Sequence, residues 1–538
     1  MFSNAKQVVT SQSSIESRWF AAAWLAIAMS RAVAAPPDPL KSIDVDTLVE
    51  RTMAAYQVPG IAVGIVKDGK VVFAKGYGVR ELGLPGKVNP DTLFAIASNT
   101  KAFTTAALAI LVDEGKLHWD DRVIDYLPAF RLYDPYVTRE FTIRDLVTHR
   151  SGLGLGAGDL LLFPNTDFGP ADVMRALRYL KPVSGFRAEY AYDNNLYIVA
   201  GALVPAITGE SWEDFVTRRI LLPLKMDSCV VNPQRVTDHD NQASPHALVE
   251  GKVVRVTPDD TRTAAPAGGI QCNVSGLAKW QLTQLGRGQA NGAPRIFSAA
   301  QSEEMWRPQT IVPTEGKLSA LGRTHFSAYG LGWFLEDFNG YKRLAHSGGL
   351  GGMVTYQSLV PELNLGVIVL TNAEQGDAYR TIGLAITDAY TGGTKRDWVK
   401  LIQDLRAERV REHADSDAKR RPIPAPGVDL ARIDLSPYVG TFKDPWRGEA
   451  TVAHDSDGLT LTFSHTSELT GPLTPIRPGL FVVHWKNREL NADAYVRFRE
   501  DFAGAVEGFT MEAVSADTDF SFDFQDLDFH RVQAEPAK

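Results

Sequence analysis

The chain has 538 residues, more than one ordinary hydrophobic core accommodates, and this length predicts two or three domains. Apolar residues make up 44% and charged residues 22%, as in a soluble globular protein. The net charge of −8 argues against a nucleic-acid or anionic-membrane partner, because both bind basic surfaces.

The N-terminal segment predicts a secretory signal peptide over residues 1–35. Arg18 precedes an apolar run, and the small-residue pattern AVA follows at 32–34. Because the run is too short to span a bilayer, we expect an exported, periplasmic protein with no membrane span in its mature form. A retained anchor and a buried N-terminal helix are the alternatives.

The next elements are a hairpin and a helix. Two β-rich runs flank Asp68-Gly69, a two-residue hairpin signal. Residues 100–114 have apolar positions at steps of three and four, which predicts a helix that Gly115 ends.

Helical stretches alternate with Gly- and Pro-rich loops over residues 120–330. From 329 strands return in YGLGWFLEDF, KRLAHSGGLGGM, TYQSLVPE and NLGVIVLTN. Strands at both ends with helices between them predict an antiparallel sheet with a helical insertion.

The C-terminal part predicts a linker and a second domain. Residues 395–430 are charged and predict a helix followed by a proline-rich linker, with a solvated spacer as the default role. Alternating strands then predict a separate all-β barrel over 431–538. In its last part, FSFDF at 520–524 predicts a strand with the phenylalanines on one face.

Cys229 and Cys272 are the two cysteines of the sequence. They could pair in an exported protein, but two cysteines make no disulfide framework. We expect two small buried thiols, neither of them a nucleophile.

Ser98 and Lys101 lie one turn apart at the start of the predicted helix. They share one face there, burial would lower the pKa of the lysine, and the helix dipole favours negative charge on the serine oxygen. An N-cap serine beside a solvated lysine is the alternative. Ser-x-x-Lys alone is weak, since it also occurs at residues 3–6 and 416–419.

Two more motifs add weight: Tyr-Asp-Asn at 192–194 and His-Ser-Gly-Gly at 346–349. In this order and spacing the three motifs resemble the serine β-lactamase and penicillin-binding-protein superfamily, in particular its class C branch of D,D-carboxypeptidases, D-aminopeptidases and esterases. Supporting segments are LVTHRSGL, ITGESWEDFVTRRILLPLKMDS, PAGGIQCNVSGLAKW and YGLGWF.

The resemblance implies an α+β fold over residues 36–394, with an antiparallel sheet flanked by helices, followed by a lipocalin-like barrel. It implies that Ser98 is the nucleophile and Lys101 its general base or proton shuttle. Tyr192 shares the base role and protonates the leaving group, and the backbone N–H groups of Ser98 and Gly349 form the oxyanion hole.

The same resemblance implies the binding residues. Asn194 holds the substrate amide and orients Lys101. His346 occupies the place of the lysine in the lactamases' Lys-Thr-Gly, and Ser347 and Gly348 complete that strand motif.

Two departures affect the expected substrate. Asp193 stands where Ser, Ala or Gly is usual, so that it either disfavours substrate carboxylates or faces solvent. His346 in place of lysine weakens recognition of a β-lactam carboxylate, whereas His-x-Gly suits D-peptidases. The barrel either lends a loop to the active-site rim or serves as a packing or dimerisation module.

These features predict a serine hydrolase that forms an acyl-enzyme on small peptides with D-residues or on non-ribosomal peptides. The length and domain plan resemble the peptidases of linearised microcystin. A carboxylesterase is the first alternative, and a non-catalytic receptor for peptides or β-lactams is the second. No Gly-x-Ser-x-Gly and no His-x-x-x-His motif occurs, so we expect neither an α/β-hydrolase triad nor a metal or other cofactor. The oligomeric state stays open.

Overall fold

The computed structural model describes residues 43–237, 239–314, 316–393, 396–423 and 429–533. The predicted signal peptide lies outside the described residues, as does the proline-rich segment 424–428 of the predicted linker. The predicted fold class is confirmed: helices cover an antiparallel sheet, and a closed β-barrel follows.

The strands before the barrel form one large sheet and two small ones. They are β1 Gly60–Lys67, β2 Lys70–Gly78, β3 Phe94–Ala95, β4 His246–Val249, β5 Lys252–Arg255, β6 Gln271–Cys272, β7 Thr310–Val312, β8 Ser327–Tyr329, β9 Phe334–Phe338, β10 Tyr341–Leu350, β11 Met353–Val360 and β12 Leu365–Thr371. Among the described residues the large sheet has eight strands, in the order β2-β1-β12-β11-β10-β9-β8-β7. The start and the end of this domain therefore both contribute strands, as predicted.

Local sequence explains the centre of the sheet. Strands β1 and β12 are almost continuously apolar and are buried, as expected for strands covered on both faces. Asp68 and Gly69 join β1 to β2 with φ angles of 50° and 75°, as the predicted two-residue turn requires.

Helices lie on both faces of the large sheet. Their bounds are α1 Val45–Tyr56, α2 Lys101–Asp113, α3 Val123–Tyr126, α4 Pro135–Glu140, α5 Ile143–Leu146, α6 Pro170–Ala176, α7 Asn195–Thr208, α8 Trp212–Val216, α9 Ala265–Gly268, α10 Val274–Leu285, α11 Ala299–Met305, α12 Lys317–Gly322, α13 Gly376–Tyr390 and α14 Trp398–Arg420. Helices α1 and α13 pack on one face and α10 on the other, against β1 and β12. We call the part from α1 to α13 the sheet domain.

The charged helix α14 differs from a solvated spacer. Its first turn buries Trp398 against the sheet domain. Further along, Arg409 pairs with Asp377 of the sheet domain at 2.7 Å, and His413 lies 2.5 Å from Asp517 of the C-terminal part. The helix therefore contacts both parts of the protein.

Cys229 and Cys272 form a disulfide, so the expectation of two free thiols is wrong. They are 43 residues apart in sequence. Backbone pairing brings them together, because Val230, next to Cys229, pairs with Gln271, next to Cys272. This proximity depends on tertiary structure, which sequence spacing does not reveal.

The C-terminal strands close into a barrel. They are β13 Gly440–Asp444, β14 Gly448–Asp455, β15 Gly458–Phe463, β16 Thr466–Arg477, β17 Leu480–Val483, β18 Ala494–Glu500, β19 Val506–Ala513 and β20 Asp528–Arg531. Pairing of β13 with β20 completes the closure. Side chains at alternate positions fill the interior, among them Phe442, Phe481 and Phe509.

The strand predicted at 520–524 is wrong. After β19 the chain follows turns and a short 3-10 helix, Phe524–Asp526, before β20 begins. Phe520 is 39% exposed, whereas Asp523 and Phe524 are fully buried. The alternation of the phenylalanines suggested a period of two, but this segment leaves the barrel and packs on the sheet domain. We call residues 519–526 the docking segment.

Candidate active site

Ser98 lies in the turn between β3 and α2. Residues Ala97–Thr100 form a 3-10 helix that leads directly into α2. Ala97 is buried with a φ of 49°, which is uncommon for a residue with a Cβ. Ser98 itself is partly exposed and lines a cavity. The strained turn therefore presents the serine at the cavity surface.

Lys101 is fully buried, which contradicts the alternative of a solvated lysine. Its Nζ lies 3.1 Å from Ser98 Oγ, 2.7 Å from Asn194 Oδ1 and 3.1 Å from the carbonyl oxygen of Ala267. Burial lowers the pKa of Lys101 to about 7, although nearby carboxylates act in the opposite direction. Near neutral pH an appreciable share of Lys101 is therefore an amine, which is able to accept a proton from Ser98.

Tyr192 lies against the same lysine. The Nζ of Lys101 is 4.7 Å from the centre of the Tyr192 ring. The Tyr192 hydroxyl is buried and has no hydrogen-bond partner among the described residues. Burial raises its pKa well above 10, and the nearby Ser98 hydroxyl offsets this only in part. Tyr192 therefore stays protonated and is available as a proton donor.

Asn194 links Lys101 to a buried carboxylate. Its Oδ1 accepts from Lys101, and its Nδ2 donates to Asp159 Oδ2 at 2.8 Å. Burial, followed by the charges of Asp193 and Asp523, raises the pKa of Asp159 well above its usual range. Sequence reasoning missed Asp159, because an aspartate in a Gly-rich loop carries no pattern.

Asp193 does not face solvent, so that alternative is wrong. It is fully buried, and its Oδ1 accepts a hydrogen bond from the backbone N–H of Leu196 at 3.2 Å. Burial raises the pKa of Asp193 to about 7. Its two neighbours in the sequence, Tyr192 and Asn194, line the cavity. Asp193 thus supports the first turn of α7.

His149, in the segment LVTHRSGL, is a second residue whose position the sequence did not reveal. Its ring centre lies 4.3 Å from that of Tyr192 and 4.5 Å from that of Tyr329. Its Nδ1 accepts a hydrogen bond from the backbone N–H of Asp193 at 3.1 Å. Burial lowers the pKa of His149 well below 6.5, so the ring is neutral. His149 therefore packs against the Tyr192 ring and helps to hold it in place.

The His-Ser-Gly-Gly motif lies on β10 as predicted, and His346, Ser347 and Gly349 line the cavity. His346 Nε2 lies 3.0 Å from the Tyr329 hydroxyl, and its Nδ1 lies 2.6 Å from the carbonyl oxygen of Ser347. Burial lowers the pKa of His346 to about 3. The ring is therefore neutral, unlike a lysine in the same place.

The two glycines of β10 differ in their surroundings. A Cβ at Gly348 would collide with the carbonyl oxygen of Ile96 and lie 2.9 Å from the Cβ of Ala97. A Cβ at Gly349 would meet nothing closer than Val354, at 4.0 Å. Gly348 thus lets β10 approach the turn that carries Ser98, whereas Gly349 borders open space.

The cavity has a volume of about 470 Å³, within the range of small-molecule sites. Both domains line it. The sheet domain contributes the motif residues already described, and the barrel contributes Glu489, Leu490, Asp519, Phe520, Ser521 and Phe522.

One side of the cavity is acidic. Asp259, Glu374 and Asp519 line it, and burial raises the pKa of Asp259 to about 6 and that of Glu374 to about 7. Sequence reasoning did not single out these residues, because they come from three separate loops. In the described part of the chain no group of three or more His, Cys, Asp and Glu side chains is arranged to hold a metal ion. None of the described helices is long and apolar enough to cross a membrane.

Comparison with known proteins identifies relatives over most of the chain. The chain is 30% identical over 461 residues to Unguisins hydrolase ungD' of Aspergillus campestris (strain IBT 28561), which covers 81% of this chain and 82% of that protein. It is 28% identical over 332 residues to Protein flp of Staphylococcus aureus (strain MRSA252), covering 61% of this chain and 62% of that one.

A solved structure has the same fold. The octameric penicillin-binding protein homologue from Pyrococcus abyssi aligns over 91% of this chain and 100% of its own, with a TM-score of 0.59. Because the identity is 23%, this likeness shows the fold alone.

Family sequence models cover both parts. The model of a domain of unknown function, DUF3471, matches residues 429–531. The Beta-lactamase model matches residues 45–390, the span of the sheet domain and its site. Together with the hydrolase relative, this match supports a serine hydrolase, and the chain belongs to the Beta-lactamase family.

Proposed function

We propose that this protein is a serine peptidase that forms an acyl-enzyme on Ser98 and acts on small peptides containing D-residues or of non-ribosomal origin. The observation that carries the proposal is the contact between Lys101 Nζ and Ser98 Oγ at 3.1 Å, with the lysine fully buried and its pKa lowered to about 7. Acyl transfer requires a nucleophile and an adjacent base whose pKa lies near the working pH.

In the acylation step Lys101, as the amine, takes the proton of the Ser98 hydroxyl while Oγ forms a bond to the substrate carbonyl carbon. The backbone N–H groups of Ser98 and Gly349 stabilise the negative charge on the carbonyl oxygen. The C–N bond then breaks, and the leaving amine takes a proton from Tyr192. The ammonium of Lys101 restores that proton.

Deacylation reverses these roles. Water attacks the carbonyl carbon of the ester on Ser98 and gives a proton to the Lys101 amine. As the C–O bond to Ser98 breaks, the ammonium returns that proton to Oγ and the carboxylic acid leaves, so that Ser98 and Lys101 return to their starting states. Asn194 remains bonded to Lys101 and presents its amide at the cavity wall, where it holds the substrate amide.

The charges around the cavity favour a peptide over a β-lactam as the substrate. His346 is neutral, and the acidic side chains Asp259, Glu374 and Asp519 line the same space. A β-lactam carries a fixed carboxylate, which this environment attracts poorly. A relative named as an unguisins hydrolase supports hydrolysis as the reaction class. Linearised microcystin remains one candidate substrate.

We also propose an exported, periplasmic location. The N-terminal signal pattern supports it, and so does the disulfide between Cys229 and Cys272, since disulfides persist in oxidising compartments.

The test is intact-protein mass spectrometry after mixing with a D-alanyl peptide, an uncharged ester and a penicillin in parallel. Turnover of the peptide with a transient adduct on Ser98 is the expected result. Ser98→Ala should lose about 10³-fold or more in rate. Ser416→Ala, which alters the half-buried serine of a Ser-x-x-Lys copy near the C-terminal end of α14, is the matched control and should keep full activity.

The other outcomes identify the alternatives. Cleavage of the ester without the peptide would make the protein a carboxylesterase. A stable penicillin adduct with no turnover would make it a receptor. Peptide turnover retained in Ser98→Ala would overturn the mechanism.

A further inference from the structure

We infer that Asp523, in the docking segment of the C-terminal domain, positions the base Lys101 by holding the loop 156–161, whose Asp159 fixes Asn194 beside the lysine. The inference rests on the proposed role of Lys101. It makes the C-terminal domain part of the catalytic machinery, through a residue that touches neither substrate nor nucleophile.

The first link joins the two domains. Asp523 Oδ2 accepts a hydrogen bond from the backbone N–H of Gly158 at 2.6 Å, and its Oδ1 accepts one from Leu160 at 2.9 Å. Asp523 is fully buried. One carboxylate thus binds the backbone on both sides of Asp159.

The docking segment meets this loop at a second point. Gly156 has a φ of 70°, and a Cβ there would lie 2.6 Å from the carbonyl oxygen of Phe520. The loop therefore approaches the segment closely at Gly156 as well as at Gly158. Two separated contacts fix both the position and the tilt of the loop.

The loop in turn holds the irregular segment 192–195 that leads into α7. The Gly156 N–H donates to the carbonyl oxygen of Tyr192 at 2.8 Å, and Asn195 Nδ2 donates to the carbonyl oxygen of Ala157 at 3.0 Å. A third hydrogen bond joins the same two segments, since Asp159 Oδ2 accepts from Asn194 Nδ2 at 2.8 Å. Tyr192 and Asn194, which lie against Lys101, are thus anchored to the loop that Asp523 anchors.

The Asp159 contact decides which end of the Asn194 amide faces the lysine. An amide has a donor end and an acceptor end of nearly equal shape. Because Asp159 takes the donor end, the acceptor Oδ1 is directed at Lys101 Nζ, 2.7 Å away. If the amide rotated, its N–H groups would repel the ammonium form of Lys101 and occupy the lone pair of the amine form, so that the lysine could not take the proton of Ser98.

Two variants and one control test the inference. Asp523→Asn keeps the shape of the side chain but replaces one of its two acceptor oxygens with a donor. Asp159→Ala removes the acceptor for Asn194. Asp457→Asn is the control, since Asp457 is an exposed aspartate of the same domain, on the turn between β14 and β15, and its carboxylate accepts a hydrogen bond from Ser456 and not from the loop 156–161.

We expect Asp523→Asn to lower kcat about tenfold or more with KM changed less than about threefold, because the fault lies in the base and not in substrate contacts. In Asp159→Ala, the added Asp523→Asn should cost less than about twofold, since both act through one chain of contacts. Asp457→Asn should match the wild type.

Hydrogen exchange of residues 154–161 and 190–196 gives a readout that needs no activity. Asp523→Asn should raise exchange in both segments and Asp457→Asn in neither. Unchanged exchange, or additive losses in the double variant, would overturn the inference. If the wild type shows no Ser98-dependent turnover, the proposed function fails, and the exchange data alone then decide whether Asp523 holds the loop.

Discussion

The buried hydroxyl of Tyr329 lies 3.0 Å from Nε2 of His346. Since the carbonyl oxygen of Ser347 only accepts hydrogen bonds, the ring proton lies on Nδ1, and Nε2 accepts from Tyr329. Both ring nitrogens of His346 are therefore occupied within the protein. His346 therefore contributes shape and polarity to the cavity, and no positive charge.

This arrangement predicts how His346→Gln behaves. A neutral side chain replaces a neutral one, so acylation by penicillin should change less than about threefold, whereas loss of a charged hydrogen bond would cost more than about tenfold. The measurement is the rate of the mass increase on Ser98, with an uncharged ester as reference. A tenfold loss confined to penicillin would contradict the neutral assignment.

The pH profile should report Lys101. Only the amine accepts the serine proton, so the rate rises as the ammonium is lost, and it levels off above pH about 7. Below that pH, kcat/KM should fall by about tenfold per unit. Measured from pH 5 to 9, His346→Gln should keep the same midpoint, because the pKa of His346 is about 3. A profile that stays flat from pH 5 to 9, or that is still rising tenfold per unit at pH 9, would contradict a base with a pKa of about 7.

The two glycines of β10 provide a matched pair. Gly348→Ala should destabilise the protein by about 1–3 kcal/mol, since its Cβ meets the backbone of Ile96. Gly349→Ala has space and keeps its N–H, so its stability should change by less than about 0.5 kcal/mol. Urea denaturation of both variants checks this. Equal losses would show that the approach of β10 to Ser98 is not tight.

The disulfide should contribute about 3–4 kcal/mol, as expected for a loop of this length. Replacing Cys229 and Cys272 together with alanine should lower the urea midpoint accordingly. Wild-type protein unfolded with a reductant is the control and should show a comparable shift. A midpoint that neither treatment moves would show that the pair is not bonded in solution.

Elements that depend on residues close together in the sequence were predictable from it. The hairpin at Asp68-Gly69, the apolar strands β1 and β12 and most of the barrel strands follow from turn residues and alternation. The residues of the three motifs also proved to line or adjoin one cavity, because order and spacing carried that information.

Contacts between distant residues were not predictable. Asp159 and Asn194, like Asp523 and Gly158, meet only in the folded protein, and no local pattern marks them. The pairing of Cys229 with Cys272 was not predictable for the same reason. At 520–524 a local pattern was present but misleading, since Phe520 packs against Tyr192 of the sheet domain and Phe524 against Trp485 of the C-terminal domain, and the two do not share one face of a strand.

The position of Asp523 has a consequence for biosynthesis. Ribosomes build Ser98, Lys101 and all strands of the large sheet, which ends with β12 at Thr371, well before they reach residue 523. During that interval a nascent chain holds the proposed nucleophile while the loop beside Asn194 lacks its proposed anchor. The reactive centre would reach its final geometry only after the barrel has docked, so a truncated product would be folded in large part and yet nearly inert.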